Sequence, residues 1–311
     1  MKSLFLLCLQ SLWFVWVVAI PLAVSAQVSN FEQALGDPSE LLAELREEIV
    51  SIPQLPSTTL VKAPPLVGTL FQPQGDGPFA VVVLSHGSPG RASVRQLMGR
   101  YRLIPQINGL VNQGLAVLVP MRRGYGASPG EYVESIGYCA EPRYEKTGAE
   151  SAQDIRAAIR YISTRSSLNA NQIVLMGQSA GGFASIAAAS ANPPGVVAVL
   201  NLSGGRGGNG MDGVPCRPDL MTSVMMGYAQ TMRAPALWFY VENDKYFGPE
   251  VAKSWFAAFE SAGAKGIFVM HPPYGPDGHL LFYAKESIPI WMKSMNDFFK
   301  SYGLASLTDK P

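Results

Sequence analysis

Histidine and cysteine are scarce in this chain, with three of each among 311 residues. So few ligands argue against a zinc site, which draws on Cys and His at set spacings, and they leave imidazole chemistry with few candidates. Charge is thin as well: 15% of residues are Asp, Glu, Lys or Arg, and the formal net charge is +1. Without residues 1–26, whose only charge is Lys2, 23 basic residues face 23 acidic ones. A neutral balance of that kind argues against nucleic acid or an anionic membrane as the main partner. There is no internal repeat and no low-complexity tract. What the chain does have is apolar residues, 48% of the total, enough to bury a large core.

The first residues carry one charge, Lys2, followed by an apolar run over 4–20 that only Gln10 and Ser11 interrupt. Pro21 and then Val24-Ser25-Ala26 put small residues at a cleavage spacing, which predicts a secretory signal over 1–26 and a mature domain over 27–311. An uncleaved anchor is the competing reading, because the run is nearly long enough to span a bilayer. Cys8 has Leu7 before it, so a lipoprotein is not expected. Export leaves Cys139 and Cys216, and two thiols in an oxidising compartment tend to pair. The expected location is secreted or periplasmic, with no stable membrane insertion once the signal is cut.

Beyond a polar leader, Leu41, Leu42, Leu45 and Ile49 space as one helix face. Strand-like pieces follow at 58–62 and 66–72. Ala80-Val81-Val82-Val83-Leu84 is apolar throughout, as in a parallel strand covered on both faces. A helical stretch over 94–113 precedes the strand 115–119, and another over 148–163 carries Ile155, Ala158, Ile159 and Ile162 on one side. Strands at 173–176, 196–202, 236–241 and 267–270 alternate with helices at 183–189, 249–262 and 288–302. Alternation of this kind predicts an α/β fold, a mostly parallel central sheet with helices on both faces. Two loops, 124–146 and 204–233, exceed what packing requires. Their tyrosines and methionines, Met221, Met225 and Met226 among them, suggest an apolar pocket.

The strand 173–176 leads into Gly177-Gln178-Ser179-Ala180-Gly181, and an Ala-rich helix follows. Gly-x-Ser-x-Gly between a strand and a helix is a nucleophile elbow, in which a strained turn exposes the serine hydroxyl. A side chain at Gly177 or Gly181 would collide across that turn. A serine hydroxyl needs a base, and the base needs an orienting acid. In this kind of elbow the order along the chain is nucleophile, acid, base. His279, in the loop before the last helix, fits as the base, with His271 as the fallback. His86 precedes the nucleophile and is excluded. Asp244, just past the strand 236–241, is the expected acid; Glu242 is the runner-up, and Asp277 a distant third. The oxyanion donors are expected from the backbone N–H groups of Ala180 and Ser88, with His86 propping the Ser88 loop.

These residues bring the chain to resemble the α/β-hydrolase superfamily and, within it, the exported dienelactone-hydrolase-like serine esterases. The resemblance covers most of 58–302. It is carried by Ser85-His86-Gly87-Ser88, Arg122-Arg123-Gly124-Tyr125-Gly126-Ala127-Ser128, Gly177-Gln178-Ser179-Ala180-Gly181-Gly182, Glu242-Asn243-Asp244 and Asp277-Gly278-His279. It implies a triad of Ser179, Asp244 and His279, acyl-enzyme chemistry, no cofactor and no metal. Dienelactone hydrolases proper have a cysteine nucleophile, so their lactone substrate is not carried over to this serine. Arg122-Arg123-Gly124-Tyr125-Gly126 resembles a turn common across the superfamily, so a substrate role for Arg123 or Tyr125 is not the favoured reading. The expected function is hydrolysis of a small-molecule carboxylic ester. The alternatives are a prolyl-oligopeptidase-like peptidase, an acyltransferase, or an inactive binding protein on the same fold.

Overall fold

The computed structural model describes residues 40–54 and 63–308. The signal segment and the strand expected at 58–62 lie outside the described residues. Ten strands and seven α-helices follow one another: β1 (Glu48–Ile52), β2 (Leu66–Phe71), β3 (Phe79–Ser85), α1 (Ala92–Leu97), α2 (Ile104–Asn112), β4 (Ala116–Pro120), a small hairpin of β5 (Gly137–Tyr138) and β6 (Glu141–Pro142), α3 (Tyr144–Ile162), β7 (Leu168–Gln178), α4 (Ala180–Ala189), β8 (Val196–Leu202), α5 (Pro218–Ala229), β9 (Ala236–Val241), α6 (Pro249–Ser261), β10 (Gly266–His271) and α7 (Ile288–Ser301). Eight strands form the central sheet in the order β1-β2-β4-β3-β7-β8-β9-β10. β1–β2 and β2–β4 pair antiparallel; every other pair is parallel. The expected α/β architecture is the observed one.

The continuous apolar strands have a simple cause. Side chains alternate between faces along a strand, and here each face is roofed by helices. Val81, Val83, Ile173 and Leu175 pack into one core with Ile155, Phe183 and Trp255, from α3, α4 and α6. Val82, Leu84, Val174 and Met176 pack into the other with Ile107, Leu110 and Trp291, from α2 and α7. A charge introduced on either face would be buried without a partner, so neither face tolerates one.

Three expectations need correction. The helix expected from Leu41 to Ile49 is a single 3-10 turn, Ala43–Leu45, followed by β1. Pairing with β2 wins there: Val50 and Ile52 turn inward while Ile49 stays exposed. The stretch 94–113 divides into α1 and α2, with Gly99 between them and Pro105 in the first turn of α2. The loop 204–233 contains α5, which sends Met221 and Met225 into the core. These methionines fill space under the sheet instead of lining a pocket. Among the described residues, no helix is long and apolar enough to cross a membrane.

Candidate active site

Ser179 sits between β7 and α4 with φ of 56° and ψ of −123°, outside the usual wells for a side-chain-bearing residue. Such a conformation costs on the order of 1–3 kcal/mol and persists only when its surroundings over-determine it. The surroundings do so here. Ser179 N–H donates to the Leu202 carbonyl at 3.0 Å, and its own carbonyl accepts from Gly205 and Phe183 at 3.1 and 3.2 Å. Every residue of α4 is buried. A Cβ at Gly177 would lie 2.2 Å from the Gly181 carbonyl, and one at Gly181 would lie 2.0 Å from the Ser85 carbonyl oxygen. Both glycines are forced by close backbone approach, as the sequence indicated.

Asp244 and His279 come from the turns after β9 and before α7, and both are buried. His279 Nδ1 lies 3.0 and 2.9 Å from the two Asp244 carboxylate oxygens. Asp244 Oδ1 also accepts the backbone N–H groups of Tyr246 and Phe247, at 2.8 and 2.9 Å. The other expected alternatives are held elsewhere. Glu242 is exposed. His271, at the end of β10, has Nδ1 2.7 Å from the carbonyl of Pro272. Asp277 does not face the imidazole: its Oδ1 accepts the backbone N–H of His279 at 3.0 Å and of Lys245 at 3.1 Å, clipping the two turns together.

Ser179, Ala180, Ser88, Gly87 and His279 line one cleft of about 940 Å³. The first N–H groups of a helix have no intrahelical acceptor, so the start of α4 offers donors beside Ser179. His86 behaves as a prop. It is fully buried, its Nε2 accepts the Arg122 N–H at 3.2 Å, and its Nδ1 therefore carries the proton toward the Gly87 carbonyl at 2.7 Å. Burial, with the nearby Arg122 charge, pushes the imidazole down to about 3, so the ring stays neutral.

Beneath the Ser88 loop lies a buried charge cluster that the sequence did not reveal. Glu134 pairs with Arg122 at 2.6 Å and with Arg206. Burial alone would raise the Glu134 carboxyl, but the two guanidiniums hold it well below the usual range. The Tyr125 hydroxyl lies 2.8 Å from both Glu134 Oε2 and Ser88 Oγ. A carboxylate only accepts, so the tyrosine proton goes to Glu134 and Ser88 donates to the phenol oxygen. Tyr125 is thus buried under the loop. Arg123 binds Asp154 at 2.7 Å and Glu150 at 3.1 Å. Neither residue lines the cleft, and their side chains are engaged in these contacts.

Gln178 was also missed. Its Nε2 donates to the His279 carbonyl at 3.2 Å, and its Oε1 accepts from the Tyr283 hydroxyl at 2.9 Å. The only sign in the sequence was a polar residue between the elbow's first glycine and its serine. Cys139 and Cys216 are joined by a disulfide, as expected, linking the two long loops across 77 positions. The loop carrying Cys216 reaches the cleft through the Gly207 carbonyl, which accepts the Cys216 N–H at 2.9 Å.

A search of curated protein sequences gives no match, whereas many solved structures are similar. A Klebsiella pneumoniae protein assigned as a dienelactone hydrolase shares 17% identity over 82% of this chain and 98% of its own, with a TM-score of 0.56. An esterase from Pyrococcus furiosus shares 16% over 85% and 96%, with a TM-score of 0.57. An acylaminoacyl peptidase from Pyrococcus horikoshii is similar at 15% and a TM-score of 0.58, but the chain spans only 41% of it. At such identities the likeness is one of fold. The model of the alpha/beta hydrolase family matches residues 82–296, and the chain belongs to that family.

Proposed function

We propose that this protein is a serine hydrolase that cleaves small-molecule carboxylic esters through an acyl-enzyme on Ser179. The observation that carries this reading is the buried Asp244–His279 pair, at 2.9 Å, whose imidazole lines the same cleft as a strained Ser179. In the first half-reaction Ser179 Oγ attacks the ester carbonyl carbon while His279 Nε2 takes its proton. Nδ1–H keeps donating to Asp244, whose carboxylate stabilises the imidazolium as it forms. The carbonyl oxygen becomes an oxyanion, received by the N–H groups of Ala180 and Ser88. Collapse breaks the ester bond, and the alcohol leaves with the proton from His279. A water then gives a proton to the same imidazole and attacks the acyl carbon; collapse breaks the Ser179 Oγ–acyl bond, Oγ takes the proton back from His279, and the acid leaves. No step calls for a cofactor, a metal or nucleic acid. Export fits the sequence of 1–26 and a disulfide that an oxidising compartment would preserve.

The test is labelling with a fluorophosphonate probe together with turnover of short p-nitrophenyl esters. Ser179→Ala is expected to abolish labelling and to lower kcat by about 10³-fold or more. Labelling and turnover that survive in that variant would end the proposal. A p-nitroanilide of a proline peptide, run in parallel, separates ester from peptide hydrolysis: preference for the anilide would favour a peptidase.

A further inference from the structure

The hydrogen bond to Asp244 fixes one edge of the His279 imidazole but not the plane of the ring, which could rock about that bond. Two aromatic rings supply the missing constraint. The Tyr246 ring lies almost flat on the imidazole, with centroids 4.2 Å apart and planes 30° apart. Phe247 meets it edge-on, at 5.5 Å and 68°. Both rings come from the turn whose N–H groups hold Asp244, so one short segment sets the acid and the walls around the base.

Tyr246 is itself held from the loop that follows β8. A Cβ at Gly208 would sit 2.8 Å from the Tyr246 carbonyl oxygen, and one at Gly210 would sit 2.8 Å from its ring. The loop lies that close because it has no side chains there. It is tied to the acid turn by Gly213 N–H donating to the Lys245 carbonyl at 2.9 Å and by Gly248 N–H donating to Gly213 at 2.8 Å. Its other end bears the disulfide through Cys216. The run of glycines after β8 thus has a job that the ester chemistry alone did not require.

We propose that Tyr246 is a positioning residue for His279, its ring fixing the plane of the imidazole and stabilising the charge that the imidazole acquires as it takes the serine proton. This rests on His279 being the base. A cation over an aromatic face is favoured electrostatically by the ring's negative face. The charge exists only while the proton is on the imidazole, so the benefit falls in the transition state and shows in kcat more than in KM. The hydroxyl has no part in this, and the backbone N–H of Tyr246 that serves Asp244 survives any side-chain change.

The experiment compares Tyr246→Leu, Tyr246→Met and Tyr246→Phe with wild type and with His279→Gln. It measures kcat, KM, the rate of fluorophosphonate labelling and the thermal midpoint. Leu and Met fill the space without a π face and are expected to lower kcat and labelling by about 3- to 30-fold, with KM within about twofold. Phe restores most of the loss. The inference is overturned if Leu and Met keep wild-type kcat, if their loss lies in KM, which would make Tyr246 a substrate contact, or if Phe is as slow as Leu. Full activity in His279→Gln would instead remove the base assignment. The two failures are therefore distinguishable.

Discussion

The two halves of the candidate site are held in different ways. Ser179 is fixed by exclusion: backbone presses on backbone at Gly177 and Gly181, and the strained turn is clamped between a two-sided strand and a buried helix. Asp244 and His279 are fixed by attraction, on turns joined through Asp277 and Tyr246, with Gln178 tying the His279 turn to the end of β7. A contact made by exclusion has no partial failure, because one added methyl group meets a carbonyl oxygen with nowhere to go. A hydrogen-bonded turn can lose one bond and remain near its place.

That contrast can be broken by experiment, and the largest effect is expected on the exclusion side. Gly181→Ala should abolish fluorophosphonate labelling and destabilise the fold, since its Cβ would lie 2.0 Å from the Ser85 carbonyl oxygen. Labelling and urea unfolding measured together check this; a labelled, stable variant would mean that the elbow yields. Smaller and graded is Asp277→Ala, which leaves the buried N–H of His279 and that of Lys245 without their acceptor. It should cost about 1–3 kcal/mol in stability and slow turnover by about tenfold. Asp277→Asn keeps an acceptor oxygen and should recover much of both. Equal loss in the two variants would show that charge, and not the shared acceptor, holds the turns.

How much of this was legible in the sequence follows from the same contrast. Steric exclusion is local, so Gly177-Gln178-Ser179-Ala180-Gly181 announced itself within five residues. Asp244 and His279 could be chosen only through chain order and their position after strands, and the structure brings that pair together. Gln178, Asp277, Tyr246 and Glu134 were not legible in their roles. Their partners lie on other turns, and nothing in a linear pattern pairs Gln178 with the carbonyl of His279, 101 positions away. The same limit misplaced Leu41 to Ile49: helix-like spacing of apolar residues was outweighed by an edge pairing with β2 that only the fold supplies.

The smallest effect concerns the prop beneath the Ser88 loop. Folded His86 stays neutral down to about pH 3, whereas unfolded it takes a proton near 6.5. Acidification below 6.5 therefore protonates the unfolded chain first, and stability falls until the pH reaches about 3. Asp154, raised by burial to about 6 despite Arg123, acts with the opposite sign: its contribution is lost as pH rises from 3.8 through 6. The difference between wild type and His86→Gln removes that background. Between pH 6 and 4.5, urea unfolding should show the wild type losing about 1.4 kcal/mol per pH unit relative to the variant. Parallel curves would mean that the folded protein accepts a charged ring there.

The disulfide closes a covalent ring over residues 139–216. Ser179 lies inside that ring; Asp244 and His279 lie outside it, on the C-terminal third of the chain. The bridge thus encloses the elbow covalently, whereas Asp244 and His279 are joined to it only through noncovalent ties such as those of Gly213 to Lys245 and Gly248 on the Asp244 turn. Under heat or denaturant, Ser179 and the Asp244–His279 pair would therefore part when the C-terminal third undocks, with the bridge still intact.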